Sequence, residues 1–124
     1  MTKTVERSSS SHHKIINAMS VDVEEFFQVG AFETCIAKED WDGFESRVER
    51  ATHDILDLFD RYNVKSTFFC LGWVAERHKS LIERIVTDGH ELASHGYDHA
   101  RVFTLDEKRF RDDLLKTQDI LSSI

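Results

Sequence analysis

Three short apolar segments of strand-like composition alternate with three amphipathic segments of helical periodicity along this chain. The strand-like segments are residues 15–21, 64–71 and 91–94, and the helical patterns cover 45–62, 73–88 and the residues after Thr104. Short apolar runs of this kind are typical of strands that are buried in a parallel sheet. A repeated order of strand and helix favours parallel strands joined by crossover helices. We therefore predict an α/β fold with a parallel sheet and about three strand–helix units.

Signals for the ends of the helices accompany this pattern. Asn63 and Gly89 each follow a helical stretch, where a left-handed residue commonly ends a helix. Thr104 with Glu107 three residues later has the spacing of a capping box, which predicts the start of the third helix. The inward face of that helix is predicted from four residues at helical spacing, Phe110, Leu114, Thr117 and Leu121.

Composition limits the class of protein. A length of 124 residues suits one domain, which we place at 15–124, after a polar, Ser-rich stretch at 1–14 that we expect to be a disordered tail. The net charge of −7 argues against a nucleic-acid partner. The absence of an apolar run long enough to span a membrane, or of a secretory signal, leads us to expect a cytoplasmic protein. Cys35 and Cys70 match no metal or redox spacing, and we expect two free thiols that are buried or half-buried.

Two clusters of ionisable residues follow predicted strands. Asp22 and Glu24 come at the end of the first strand, and His95 and His99 come after the third. Residues two apart in a strand face the same side, so Asp22 and Glu24 should point together, while Glu25 should point away. Two carboxylates held close together disfavour each other's ionisation unless a cation lies between them. The residues thus favour a metal site, although two histidines four apart also fit a strand end and a solvated loop.

A long connection of about twenty residues joins the first strand to the first helix. Loops of this length in compact domains are often functional. Its aromatic residues can pack against the mouth of the fold or stack on a substrate, and the sequence leaves both open. These residues are Phe26, Phe27, Phe32 and Trp41.

Three segments together resemble a known family. Residues 20–24 (SVDVE), 66–72 (STFFCLG) and 89–99 (GHELASHGYDH) resemble the polysaccharide deacetylase family, also called the NodB homology domain or carbohydrate esterase family 4. Residues 25–29 (EFFQV) are similar to the branch found at exopolysaccharide loci that accompany exosortase systems. The resemblance implies a distorted (β/α) barrel and a hydrolase that removes N-acetyl groups from an amino-sugar polysaccharide or oligosaccharide. It also implies a divalent metal, usually Zn²⁺.

The resemblance assigns roles to individual residues. It implies that Asp22 is the general base and that Glu24, His95 and His99 bind the metal. Glu24 departs from the family pattern, because most members place Asp at that position and often directly after the base. The implied reaction is attack of an activated water on the acetamide carbonyl, followed by release of acetate and a free amine.

Two later segments of the family pattern do not occur in this sequence. There is no proline at all, which excludes the Arg-x-Pro-Tyr segment, and there is no Leu-x-Leu-His segment to supply the histidine general acid. We therefore expect these residues to be the N-terminal part of a deacetylase domain, truncated at its C-terminus, with impaired turnover.

Two other functional classes remain as alternatives. A fragment without turnover could serve as a carbohydrate-binding or partner-binding module. A phosphoreceiver-like signalling domain has a similar length and an acidic pair after its first strand, but it needs an Asp at the end of the third strand. Ser94 and His95 occupy that position, which disfavours the receiver.

Overall fold

The computed structural model describes residues 16–124, and a parallel sheet of three strands lies at its centre. The strands are β1 (Ser20–Val23), β2 (Thr67–Cys70) and β3 (Glu91–Ser94), in the order β1-β2-β3. Both pairs are parallel, so the carboxyl ends of all three strands lie at one edge. The predicted α/β fold is confirmed, whereas the predicted tail at 1–14 lies outside the described residues.

The first strand differs from its prediction. It begins at Ser20 rather than at residue 15 and continues through Asp22 to Val23. Its neighbour β2 begins only at Thr67, which pairs with Ser20, and the exposed Ile16 precedes this paired region. Apolar composition therefore placed the start of the strand too early, because a strand extends only where its backbone groups have a partner strand.

Four α-helices lie between the strands or after the last strand along the chain. Their bounds are α1 Val48–Arg61, α2 Gly72–Arg77, α3 Lys79–Thr87 and α4 Glu107–Ser122. The single helix predicted at 73–88 is wrong, because the backbone of His78 (φ −127°, ψ 53°) separates α2 from α3. The predicted left-handed stops are confirmed at Asn63 (φ 51°) and Gly89 (φ 78°). Within residues 16–124, no helix combines the length and the apolar character needed to cross a membrane.

The start of α4 also differs from the sequence prediction. Asp106 is its N-cap, and the Asp106 carboxylate accepts a hydrogen bond of 2.8 Å from the Arg109 backbone N–H. Thr104 instead lies in a short 3-10 turn and donates its hydroxyl to the Arg101 carbonyl. The capping box predicted from Thr104 and Glu107 is therefore wrong, since an aspartate directly before the helix caps it.

The hydrophobic core lies between one face of the sheet and the helices α1 to α3. Alternate strand residues such as Val23 and Phe68 point into it, and Leu56 of α1 and Leu81 of α3 are fully buried there. The opposite face carries Asp22, Phe69 and Ala93, which are register partners across the three strands. The core therefore fixes the sheet from one side and leaves the carboxyl edge for the loops.

The predicted inward face of α4 is only partly buried. Thr117 is fully buried and Leu121 packs against the core, but Phe110 and Leu114 expose 37% and 42% of their surface. Helical periodicity correctly identified the apolar stripe of α4. Among the described residues, however, only the part of this stripe around Thr117 is buried against another element.

Candidate metal centre

One carboxylate and two imidazoles converge at the carboxyl edge of the sheet. Glu24 Oε2 lies 3.3 Å from His99 Nε2 and 3.7 Å from His95 Nε2. One potential ligand atom from each of the three residues lies within 4.8 Å of the others. The two imidazole rings have centroids 5.2 Å apart at an interplanar angle of 71°. The structure therefore brings together the three residues that the sequence indicated as metal ligands.

The ends of two strands place these side chains. Glu24 directly follows β1, and His95 directly follows β3, where its backbone N–H donates to the Cys70 carbonyl at 2.9 Å. His99 has φ of 61°, in the left-handed region that residues with a Cβ seldom adopt. Strained backbone of this kind is concentrated at functional sites, because the surrounding structure must hold it.

The hydrogen bonding of the candidate ligand atoms indicates whether a cation fits between them. Glu24 Oε2 and His95 Nε2 are buried, and neither has a hydrogen-bond partner among the described residues. A buried polar atom without a partner is costly, so a missing partner is indicated. Tetrahedral zinc with ligand distances of about 2.0–2.2 Å separates its ligand atoms by about 3.4 Å. The distances from Glu24 Oε2 to His99 Nε2 and His95 Nε2, 3.3 and 3.7 Å, are close to this value. The donor set of one oxygen and two nitrogens fits a divalent ion.

Hydrogen bonds from α2 and α4 hold the loop that carries the histidines. The backbone N–H groups of Gly72 and Trp73 donate to the carbonyls of Gly96 and Tyr97, each at 2.9 Å. From the other side, the Tyr97 N–H donates to both carboxylate oxygens of Asp113 at 3.1 Å. The loop is thus fixed by backbone contacts that do not involve the histidine side chains.

Close packing at Gly72 is part of this arrangement. A Cβ at this position would lie 2.8 Å from Cδ2 of Tyr97 and 3.1 Å from Oγ1 of Thr117. Only glycine lets the start of α2 approach the histidine loop this closely. The Tyr97 ring also lies beneath the Lys116 ammonium, and its hydroxyl donates to Glu76 at 2.8 Å.

Glu25 has a different role from Glu24. It is fully buried, and its carboxylate accepts hydrogen bonds from the Ser46 hydroxyl and from the Arg47 backbone N–H. Arg47 is the N-cap residue of α1, where the helix dipole favours a negative charge. As the alternation of side chains predicted, Glu25 lies outside the three-residue cluster.

Asp22 is not part of the cluster either. It lies on the exposed face of β1, paired in register with Phe69, two residues before Glu24. Within residues 16–124 its side chain makes no hydrogen bond or ion pair, which leaves the carboxylate free to contact a ligand. Its role as a base stays a prediction.

The cysteines and the aromatic loop residues complete the neighbourhood. Burial raises the pKa of the Cys70 thiol to about 12, so Cys70 stays protonated at neutral pH. Both cysteines are free, as predicted, but Cys35 is exposed, so the expectation that both thiols are at least half-buried is wrong for Cys35. In the long connection Phe27 and Trp41 are buried, which favours packing for these two. The remaining two are half-exposed, namely Phe26 and Phe32.

Sequence reasoning missed the residues that position the histidine loop. Gly72 directly follows the predicted strand at 64–71 with no role indicated for it, and Asp113 lies at a position of α4 that no motif indicates. Lys38 was also missed; its ammonium contacts the Asp98 carboxylate at 2.7 Å and joins the long connection to the same loop. These contacts depend on how distant elements pack, so no local pattern could have revealed them.

Comparison with known proteins supports one family. Residues 41–124 match the family model for polysaccharide deacetylase. A peptidoglycan-N-acetylglucosamine deacetylase of Bacillus cereus is 37% identical over 73 residues, which are 59% of this chain and 26% of the relative. A peptidoglycan deacetylase of Helicobacter pylori is 31% identical over 70 residues, 56% of this chain and 24% of the relative. The chain thus spans about a quarter of the length of these relatives.

A solved structure extends the likeness to the fold. The peptidoglycan deacetylase PdaC of Bacillus subtilis superposes with a TM-score of 0.64 and 22% identity, over 86% of this chain and 42% of that chain. At this identity the match speaks for the fold, whereas the family model covers most of the chain. The chain belongs to the polysaccharide deacetylase family.

Proposed function

We propose that this chain supplies the metal-binding part of a carbohydrate N-deacetylase, which hydrolyses acetamide groups of an amino-sugar polysaccharide. The observation that carries the proposal is the convergence of Glu24, His95 and His99, with two buried ligand atoms that have no hydrogen-bond partner in the described residues. Membership of the deacetylase family and the peptidoglycan deacetylases among its relatives support the same reaction.

Zinc is the metal that this donor set favours. Imidazole nitrogen and carboxylate oxygen are ordinary zinc ligands, and three protein ligands leave a position for water or substrate. When bound there, a divalent ion would polarise the acetamide carbonyl and lower the pKa of a water molecule. Glu24 Oε2, His95 Nε2 and His99 Nε2 would hold the ion.

Asp22 would act as the general base in this proposal. It precedes Glu24 by two residues, and no partner within residues 16–124 occupies its carboxylate. A carboxylate at this edge of the sheet can take a proton from the attacking water. Glu24 replaces the more usual Asp, and its extra methylene fits a ligand that starts one residue beyond the end of β1.

The identity of the substrate is part of the proposal. Relatives named as peptidoglycan-N-acetylglucosamine deacetylases favour a glycan with N-acetylglucosamine, and an exopolysaccharide of similar chemistry is the other candidate. A carbohydrate-binding or partner-binding module without turnover remains the second function, because this sequence has no Leu-x-Leu-His segment to supply the general acid. A cytoplasmic location stays a prediction from the sequence.

Zinc binding tests the site itself. Calorimetric titration of the 124-residue chain should show one zinc site, and His95→Ala or His99→Ala should weaken binding by at least about 100-fold. His78→Ala is the matched control, since His78 lies outside the cluster and should leave the zinc affinity unchanged. Absent binding, or equal binding by all variants, would refute the metal centre.

Acetate release tests the reaction. Zinc-loaded protein is incubated with N-acetylchitotetraose, and acetate is measured for the wild type and for Asp22→Asn. We expect slow, zinc-dependent release that Asp22→Asn abolishes while zinc affinity is retained. Release that persists in Asp22→Asn would contradict the role of the base. Zinc binding without any release would favour the module without turnover.

A further inference from the structure

A second pair of unpartnered buried atoms lies beside the candidate metal centre. Among the described residues, the buried side-chain atoms without a hydrogen-bond partner are Glu24 Oε2, His95 Nε2, Gln28 Nε2 and Trp41 Nε1. The first two belong to the metal cluster, and the other two belong to the long connection after β1. Gln28 and Trp41 expose only 4% and 6% of their surface.

Local contacts fix the chemical character of this second pair. Gln28 Oε1 accepts a hydrogen bond of 2.8 Å from the Glu25 backbone N–H, so the amide cannot turn its oxygen elsewhere. Its Nε2 therefore remains a donor, and the indole Nε1 of Trp41 can only donate. Two buried donors without an acceptor indicate a ligand that carries acceptor oxygens.

A cavity of about 260 Å³ is lined in part by Gln28, Trp41 and His99, so it adjoins the metal cluster through His99. The volume is close to the lower end of the range of about 300–1,000 Å³ found for small-molecule sites. It suits one sugar ring placed next to the group that reaches the metal centre.

The rim of the cavity carries balanced charges. Lys38 pairs with Asp98 at 2.7 Å, and Arg101 pairs with Glu33 at 2.8 Å. Because each cation already has its anion, the cavity offers no free charge for a phosphate or a carboxylate. Both pairs are partly solvent-exposed, so they contribute little stability and the rim can separate to admit a ligand.

We propose that this cavity is a subsite for a neutral sugar ring adjacent to the residue that is deacetylated, with Gln28 Nε2 and Trp41 Nε1 donating to its hydroxyl or acetamido oxygens. The inference rests on the proposed function, because it places the same glycan across the metal centre. Residues 27–40 of the cavity wall precede the range matched by the family model. Of the two donors, Gln28 precedes that range and Trp41 is its first residue.

The two tryptophans of the chain provide a direct test. N-acetylchitotetraose is titrated into zinc-loaded, ¹⁵N-labelled protein, and the two indole N–H resonances are followed by NMR. Trp73→Phe assigns them. Trp73 lies outside the cavity lining, but its ring packs edge-on against that of Trp41 with centroids 5.7 Å apart, and phenylalanine keeps an aromatic ring in this contact. We expect the Trp41 resonance to shift on binding by more than the Trp73 resonance.

Affinity for the tetrasaccharide gives a second measurement. Trp41→Phe keeps an aromatic ring but removes the donor, and it should weaken binding about fivefold. Trp73→Phe should bind like the wild type. Zinc affinity should stay within about twofold in both variants, as expected where no ligand is lost.

Three outcomes would overturn the subsite. These are tetrasaccharide binding that leaves the Trp41 resonance in place, unchanged affinity in Trp41→Phe, and no tetrasaccharide binding at all. In each case the zinc titration of the histidine variants decides separately on the metal centre. Failure of the subsite and failure of the proposed function are therefore distinguishable.

Discussion

Glu24 and Glu25 are adjacent in sequence but belong to regions with opposite physical character. Glu25 points toward the helix-covered side, where Ser46 and Arg47 satisfy its carboxylate. Glu24 points into the loops at the carboxyl edge, where Oε2 has no hydrogen-bond partner in the described residues. All four such atoms belong to residues of these loops, and the hydrophobic core has none. Stability and ligand binding are therefore separated by the opposite directions in which these two adjacent side chains point after β1 ends.

The largest expected effect concerns the core. Leu56→Ala should lower the free energy of unfolding by about 2–5 kcal/mol, because Leu56 is fully buried. Leu114→Ala on α4 should cost less than about 1 kcal/mol, since 42% of Leu114 is exposed. Urea denaturation of both variants measures this contrast. Equal losses would show that the apolar face of α4 is covered in solution.

The pair of glutamates should respond differently to the same substitution. Glu25→Gln replaces one of the two oxygens that accept from the Ser46 hydroxyl and the Arg47 N–H by an amide donor, and should cost about 1–3 kcal/mol of stability. Glu24→Gln should leave the stability of the metal-free protein unchanged but weaken zinc binding at least about 100-fold. Denaturation without metal and zinc titration separate the two effects. Similar behaviour of both variants would break the distinction.

A smaller effect is expected at Asp113, which positions the histidine loop. Asp113→Asn replaces one of the two oxygens that accept from the Tyr97 N–H, and should weaken zinc binding about tenfold. Asp112→Asn is the matched control, because Asp112 pairs only with Lys108 on the surface. Equal zinc affinity of both variants would show that Asp113 does not position the histidine loop.

The smallest effect concerns buried His90 and the pH dependence of the free energy of unfolding. Burial lowers the pKa of His90 below its ordinary value of 6.5, and nearby Lys65 lowers it further. Since the unfolded chain then takes up a proton more readily than the folded one, stability falls as the pH drops below 6.5 toward the folded pKa.

His90→Phe removes this titration and should give a flatter dependence of stability on pH. The variant also leaves the Ser66 N–H without its acceptor, His90 Nδ1 at 3.2 Å, so its stability should be lower at neutral pH. Urea unfolding at about pH 7.5 and pH 5 measures the difference. An equal loss in both proteins on acidification would assign the acid sensitivity to other groups.

Much of the fold could be predicted from local patterns. β3 has the predicted bounds, and Asn63 and Gly89 end their helices with positive φ. The errors arose where a distant element decides the outcome. The first strand was placed too early because its pairing with β2 sets its start, and His78 divides a helix whose periodicity continues across it.

In the candidate site, too, local features were predictable and contacts with distant elements were not. Residue type and position after the strands indicated Asp22, Glu24, His95 and His99, the family resemblance implied that the last three bind a metal, and the structure brings those three together. The contacts that hold His95 and His99 in place come from Gly72 of α2 and Asp113 of α4, which no spacing indicated. The cavity lined by Gln28 and Trp41 was likewise not foreseen beyond the interpretation that the long connection is functional.

The sequence by itself determined the α/β order, because that order depends on local periodicity, and its resemblance to a known family indicated the three residues of the candidate metal cluster. Only the tertiary structure decided which side of each strand is covered, which of two adjacent glutamates is satisfied, and where buried donors lack acceptors. The physical reason is that burial and hydrogen-bond satisfaction depend on neighbours far away in the chain, whose positions follow from packing of the whole domain.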